Sequence, residues 1–305
     1  MLKFVLKRIA EFVPVLLVIV TLTFFLVRLA PGGPFDSERA VSPEVMRQLE
    51  AHYNLDAPLW RQYVDYVAGV LQGDLGPSFK KPSYTVREWI LMRLPVSLEL
   101  GAYALVVALA IGLTAGVIAS LRPNSWTDYV PMSMAMAGIC LPTFVLGPLL
   151  VLVFGLWLEW LPVAEWNEPA TKVLPSLTLG TVYAAYIARL SRGGMLEVLS
   201  QDFIRTARAK GLNEASVVLK HALRGGLQPV VAFLGPAAAG LLTGSFVVET
   251  IFQIPGLGRE FVQAAFNRDY TMILGTVLLY ASLILVLNLL VDVVLAWLDP
   301  RLRYE

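Results

Sequence analysis

The chain has 305 residues, 57% of them hydrophobic and 15% charged, with a formal net charge of +1 and a mean hydropathy of +0.66. Soluble domains carry about 25% charged residues, so this composition excludes a water-soluble globular protein and leaves the bilayer as the solvent that suits it. The near-neutral balance, without basic blocks beyond short loops, gives no footing for nucleic acid, and the single cysteine, Cys140, excludes an internal disulfide.

The N-terminus places Lys3, Lys7 and Arg8 before an apolar run that ends at Val27. The run is about 19 residues and lacks an A-x-A-like cleavage site, so it reads as an uncleaved first span and not as a signal peptide. Further apolar stretches near the roughly 20 residues needed to cross the hydrocarbon follow. With the first they lie near 9–29, 97–121, 130–158, 173–190, 228–250 and 272–297. The pattern predicts an all-α polytopic membrane protein with six transmembrane helices and both termini on one side. The fourth stretch is the weakest, because Ser176, Thr178, Thr181 and Arg189 interrupt it.

Between the first two spans lies a segment, residues 31–95, that opens with Ala30-Pro31-Gly32-Gly33-Pro34 and mixes both charges with aromatics. Residues 43–52 and 58–71 have helical spacing, with Ser42 as N-cap. About 65 residues hold too small a core to stand alone, so this external helical segment is expected to pack on the spans or on a partner. The chain thus divides into an N-terminal tip with the first span (1–30), the external segment (31–95), a five-span core (96–298) that includes a loop at 190–227, and a tail (299–305).

Orientation follows from Lys and Arg in short loops. Lys3, Lys7, Arg8, Arg122, Arg189, Arg192, Arg205, Arg208, Lys210, Lys220, Arg224, Arg301 and Arg303 fall on one side, and only Lys172, Arg259 and Arg268 in short loops on the other. Both termini are therefore expected in the cytoplasm. Trp157, Trp160 and Trp166 read as outer interfacial anchors, and Trp126 and Trp297 as inner ones. Prolines within spans (Pro131, Pro142, Pro148, Pro175, Pro236) remove backbone bonds that lipid cannot replace, so they are expected to face other helices, close-packed through Gly138, Gly147, Gly235, Gly240 and Gly244.

No chemistry is written into the spans. There is no G-x-x-x-x-G-K-[ST] phosphate loop and no H-E-x-x-H, and His52 and His221 fall on opposite sides of the expected topology, so no catalytic residue, metal site or cofactor is assigned. Asn288 and Asp292 share one helical face, and the nearby cytoplasmic end favours a structural bond over a proton relay. Glu99 and Glu249, each about one turn from the outer edge, read as interfacial.

The loop after the fourth span is the informative element. Residues 198–210 read as a helix with cations near its C-terminal end, Gly211 as a left-handed stop, Asn213 as the N-cap of a second helix, and Gly225-Gly226 as its end. A cytoplasmic helix-turn-helix of this kind is longer than topology requires and too ordered for a tether, so it is expected to dock on something.

Here the sequence resembles the membrane subunits of binding-protein-dependent ABC importers, which share the cytoplasmic motif E-A-A-x-x-x-G. Arg205-Thr206-Ala207-Arg208-Ala209-Lys210-Gly211 fits the variant of the peptide and nickel family, with Arg205 in place of the motif's glutamate and Arg224 in place of its later proline. Cys140-Leu141-Pro142-Thr143-Phe144, Gly244-Ser245 through Glu249-Thr250-Ile251-Phe252, Pro255-Gly256-Leu257-Gly258, Asn267-Arg268-Asp269-Tyr270 and Asp299-Pro300-Arg301 extend the match over most of the chain. Residues 28–39, with Arg28-Leu29-Ala30-Pro31-Gly32, Pro34-Phe35 and Glu38-Arg39, are most similar to the oligopeptide branch.

The resemblance implies a type I importer permease fold in a bacterial inner membrane, non-enzymatic by itself. It also implies a second homologous permease, two cytoplasmic ATP-binding subunits, an extracytoplasmic peptide-binding protein and a peptide cargo, with ATP bound by the partners. Residues 205–211 would be the ATPase-coupling element. Rival readings are a dipeptide, nickel or other small-solute permease of the same family, and an ATP-independent secondary transporter, which would need intramembrane charge and usually an internal repeat.

Overall fold

A computed structural model describes residues 2–30, 32–35 and 43–298. The expected cap Ser42, the motif residues Pro31, Glu38 and Arg39, and the tail 299–305 with Asp299-Pro300-Arg301 lie outside the described residues. Among those residues the chain is helical, with one isolated bridge between Pro77 and Thr85 and no strand. The elements are α1 Leu2–Leu29, α2 Pro43–His52, α3 Leu59–Leu71, α4 Val86–Leu121, α5 Trp126–Cys140 and α6 Thr143–Leu150, which runs on as a π-helical stretch Val151–Trp157. Then come α7 Val173–Leu199, α8 Asp202–Ala209, α9 Glu214–Ser216, a π-helical turn Val217–Ala222, α10 Leu223–Gly226, α11 Gln228–Leu242, α12 Phe246–Ile251, α13 Leu257–Asn267 and α14 Tyr270–Leu298.

Five helical segments are long and apolar enough to cross a membrane, and a sixth span results if α5 and α6 are counted as one. That pair departs from the single continuous third span expected near 130–158, because it is bent by 110° at its break. Pro142 is the cause. It pushes the preceding Leu141 into an extended conformation (φ −87°, ψ 112°), which ends the helix at Cys140 instead of merely kinking it. The boundary at residue 96 also moves. Thr85 and Glu88 form a reciprocal capping box that starts α4 at Val86, so the outer end of this helix belongs to the external segment. Likewise α7 continues to Leu199, through the first ten residues of the expected loop at 190–227.

The weak fourth stretch proves to be the centre of the bundle: over half of its apolar window is buried in the molecule, more than in any other candidate span. Its hydroxyls carry no penalty there, since Ser176, Thr178 and Thr181 donate to the carbonyls of Lys172, Leu174 and Leu177 four residues back. Close approach is made by small residues. Ala104, Ala108, Gly112 and Gly116 recur every fourth position of α4 and are all buried. They face Gly180, Ala184 and Ala188 of α7, so closely that a Cβ on Gly112 would lie 2.6 Å from the Ala184 carbonyl oxygen and one on Gly180 2.6 Å from that of Ala104. In lipid, where water drives no helix association, such van der Waals contact supplies the cohesion.

The prolines divide. Pro175 is buried and Pro131 half-buried, but Pro142, Pro148 and Pro236 are exposed, against the expectation that all would face helices of this chain. They lie on the α5–α6 elbow and on α11, where no other helix of the chain covers them among the described residues.

The external segment packs on the spans. Phe35, Phe79 and Tyr270 form a buried cluster with Tyr53 and Leu55 against it. Asp269 caps α14 and gathers the 78–80 loop, accepting from Ser78 Oγ at 2.5 Å, Phe79 N at 3.2 Å, Thr271 Oγ1 at 3.1 Å and Met272 N at 3.2 Å. Tyr270 Oη donates to the Gly32 carbonyl at 2.9 Å. The Asn267-Arg268-Asp269-Tyr270 motif is thus the seam between external segment and bundle.

Candidate functional site

The loop that follows α7 is built as a clasped hairpin. α7 stops at Leu199, Gln201 turns the chain through an extended conformation (φ −76°, ψ 154°), and α8 begins at Asp202. The helix seen as one element from residue 198 is therefore interrupted at Ser200-Gln201. α8 has one short apolar face: Ile204 is fully buried and Ala207 nearly so, against Met195, Val198, Val217, Val218 and Ala222. Its other side is open, with Phe203, Arg205, Thr206, Arg208, Ala209 and Lys210 exposed.

The turn out of α8 meets the expectation for Gly211. Lys210 is the last residue near helical geometry, Gly211 takes φ +80°, Gly211 N donates to Arg208 O at 2.9 Å, and Leu212 N reaches Ala207 O at 3.4 Å. This 6→1 and 5→2 pairing is a Schellman motif, which needs a left-handed residue at the glycine position. Asn213 Oδ1 accepts from Ser216 N at 2.8 Å and starts the return helix. Arg208 bridges the turn with two parallel bonds to Glu214, 2.8 and 3.2 Å long. That bidentate pair holds the Glu214 carboxyl below the usual carboxylate range. Arg205 reaches Asp202 at 3.3 Å, and Thr206 Oγ1 donates to Asp202 O at 3.0 Å, both at the surface. Of the seven expected residues, Ala207 faces inward, Arg208 and Gly211 shape the turn, and Arg205, Thr206, Ala209 and Lys210 are left on the outer surface.

The hairpin is fixed to the spans without slack. The return helix crosses α7 where Gly194 meets Gly226; a Cβ on Gly226 would lie 2.5 Å from Met195 Sδ, and one on Gly194 would run into the Gly226 carbonyl. A single residue, Leu227, then separates α10 from α11. On the other flank of α7, Arg192 grips the buried Asp128 of α5 through two bonds of 2.5 and 2.6 Å, and Asp128 also accepts from Asn124 N at 2.9 Å. A cavity of about 320 Å³ opens beside α8, lined by Gly194, Glu197, Gln201, Phe203, Gly225 and Gln228 among others. Sequence reasoning missed the Asp128–Arg192 and Arg208–Glu214 pairs, whose partners lie 64 and 6 residues apart. Opposite charges near one membrane face were the available signal for the first.

The remaining polar residues are structural. Glu249, expected at an interface, is fully buried: Ser97 Oγ donates to it at 2.8 Å and Arg259 N at 2.7 Å. Gly244, Gly256 and Gly258 close around its carboxylate so tightly that a Cβ on Gly256 would lie 2.5 Å from the carboxyl carbon. The two glycine motifs are thus a cradle for one carboxylate at the start of α13. Glu99 accepts from Trp166 Nε1 at 2.8 Å and Lys172 Nζ at 2.5 Å, which makes Trp166 a buried partner, whereas Trp126, Trp157 and Trp160 are exposed. Asp292 pairs with Arg8 at 3.1 Å and ties α14 to α1, while Asn288 stands over Gly235 of α11. Among the described residues no three His, Cys, Asp or Glu side chains gather where a metal would bind. Cys140 is exposed.

Residues 112–304 match the family described as the inner membrane component of binding-protein-dependent transport systems, and residues 1–101 match the N-terminal region of such membrane components. The chain is 47% identical to the oligopeptide transport system permease protein OppB of Haemophilus influenzae and 48% identical to that of Salmonella typhimurium, each over the whole of both chains. It is 46% identical to the dipeptide transport system permease protein DppB of Bacillus subtilis over 99% of this chain and 98% of the relative. A solved structure of the methionine ABC transporter MetNI in an inward-facing conformation aligns with a TM-score of 0.59 at 16% identity, over 69% of this chain and 96% of that one, and so shares the fold.

Proposed function

We infer the chain's role from its family, for it belongs to the inner membrane components of binding-protein-dependent transport systems: it is the permease subunit of an ATP-driven importer of oligopeptides. In this reading the chain forms half of the translocation pathway beside a homologous second permease. Two cytoplasmic ATP-binding subunits drive it, and an extracytoplasmic binding protein delivers the peptide. It binds no nucleotide itself.

The observation that carries the reading is the hairpin. α8 turns its side chains outward on a surface that nothing else in the chain covers among the described residues, while its base is locked to α7 and α11. An element that is free on one side and rigid on the other is suited to receive a displacement and pass it to two spans as a rigid-body motion. The exposed faces of Pro142, Phe144, Pro148 and Pro236 suit cover by the second permease. Both termini and the hairpin lie in the cytoplasm in this arrangement, as the bias of Lys and Arg supports.

Reconstitution with both ATP-binding subunits, the second permease and the binding protein tests the role. Uptake of labelled oligopeptide should require ATP and should fall when Phe203 or Arg205 is replaced, with assembly intact. Uptake by the isolated chain without ATP would defeat it. The dipeptide reading is favoured by the 46% identity to DppB; competition of labelled pentapeptide uptake by unlabelled dipeptides and pentapeptides separates the two.

A further inference from the structure

α3 has three distinct faces. One packs on the end of α1: Tyr63 Oη and Thr21 Oγ1 lie 2.7 Å apart, the Tyr63 ring stacks on Phe25 and meets Phe24 edge-on, and Arg28 Nε donates to Gln62 Oε1 at 3.2 Å. A second face, Arg61, Asp65 and Ala68, is exposed and largely polar. The third consists of Trp60, Val64 and Leu71, spaced to fall on one side of the helix and 68%, 53% and 84% exposed. A stripe of three large apolar groups open to water would be costly, at roughly 25 cal/mol for each Å² of apolar area left uncovered.

We propose that this stripe is seated in the bilayer leaflet at which α1 ends, so that α3 is an interfacial helix anchoring the external segment on lipid. By the bias of Lys and Arg that leaflet is the outer one. Depth supports the assignment. The partners of α3 on α1 run from Thr21 to Arg28, and Thr21 lies eight residues, about 12 Å of helix, before the end at Leu29. Between Glu11 and Arg28 the helix carries no charge. Those 16 residues span only about 24 Å, less than the roughly 30 Å of hydrocarbon, so Thr21 and Phe24 stand at lipid depth. A helix clasped against them lies in the boundary layer and not above it. Surroundings agree, for α1 presents Leu22, Leu26 and Leu29 outward, all more than half exposed. Chemistry agrees as well: a tryptophan beside Arg61 and Asp65 on the adjacent face matches an amphipathic helix lying at the headgroup level.

The test uses the assembled transporter in nanodiscs of phosphatidylethanolamine and phosphatidylglycerol. Cys140→Ser gives a cysteine-free background, since Cys140 is the single cysteine. Nitroxides are then placed through Trp60→Cys, Val64→Cys, Leu71→Cys, Arg61→Cys and Asp65→Cys, one at a time, in variants that retain ATP-driven uptake. Relaxation by oxygen, which concentrates in lipid, is compared with relaxation by a water-soluble nickel chelate. The oxygen-to-nickel ratio should be several-fold higher at positions 60, 64 and 71 than at 61 and 65. Equal, nickel-dominated access at all five positions would put α3 in water and overturn the proposal. Shelter of 60, 64 and 71 from both reagents would overturn it in favour of a protein partner on this face.

Discussion

Gly211 offers the sharpest separation between backbone and contact effects. Its φ of +80° lies in the left-handed region, and among the described residues nothing comes within 4 Å of a Cβ built on it. The cost of any substitution within this subunit is therefore conformational alone. An alanine held in that region loses about 1 kcal/mol relative to glycine, an asparagine less, and a β-branched valine about 2 kcal/mol. At about 1.4 kcal/mol per factor of ten, the formed turn should be depopulated about five-fold by Gly211→Ala and about thirty-fold by Gly211→Val. ATP-driven peptide uptake by the reconstituted transporter, normalised to the amount of assembled complex, should follow the order Gly, Asn, Ala, Val. An asparagine variant as defective as the valine variant would refute the argument. The glycine would then matter because a partner subunit approaches it, not because of its φ.

Other perturbations read other links of the same structure. Gly116→Leu drives a side chain into the Ala188 carbonyl and Ser191, and overpacking of about 3 kcal/mol or more should lower the thermal unfolding midpoint in detergent. Gly193→Ala, with nothing among the described residues within 4 Å of its Cβ, should raise that midpoint through about 0.5–1 kcal/mol of helix propensity. Asp128→Asn should destabilise by about 3 kcal/mol, the lower end for buried pairs because Arg192 keeps 30% exposure, and adding Arg192→Met should recover part of the loss in the same melt. Since Arg208 lowers the Glu214 pKa, the pair's contribution is complete above the ordinary value of about 4.3 and is lost only as pH falls through the depressed one. Uptake by Glu214→Gln and by the unsubstituted chain should therefore differ by a constant ratio between pH 6 and 8. A ratio that varies inside that window would mean that Glu214 titrates there.

Much of this is legible in the amino-acid sequence, and the boundary follows physical range. Features set by neighbours along the chain were readable: Gly211 as a left-handed stop, Asn213 as a cap, and the external helices at 43–52 and 58–71 from their spacing, the second of which starts one residue later, at Leu59. What escaped depended on partners distant in sequence. Glu249 could not be told from an interfacial acid, because its donors come from Ser97 and from the start of α13, which only the fold brings together. Trp166 was placed by residue type at a lipid boundary, while Glu99 draws it inside. Pro142 was visible but its consequence was not, since a proline within an apolar run kinks one helix and breaks another according to what the neighbouring helices satisfy. The fourth stretch looked weak because of Ser176, Thr178, Thr181 and Arg189, yet its Gly180, Ala184 and Ala188 are the reason that α4 can approach α7.

These contacts make α7 the lever of the molecule in the proposed role. Its inner end is held by Gly194 against Gly226 and by Arg192 on Asp128, its middle by the Gly112 and Gly180 contacts with α4, and its outer end by Glu99 on Lys172, at the turn that precedes it. Each is either a close approach to backbone or a charged pair held at 2.5 Å, which leaves little slack to absorb a displacement. A close-packed interface of this kind does not deform gradually, so a push on α8 must move α4 and α7 together or unlock one of these contacts outright. The Asp128–Arg192 pair is the one among them that ties α7 to α5 and, through Asn124, to the loop that precedes α5. If the stroke unlocks anything, it is this pair. A disulfide-free crosslink replacing Asp128 and Arg192 should then abolish uptake while ATP hydrolysis continues, whereas full uptake in the crosslinked protein would show that α5 travels with the lever.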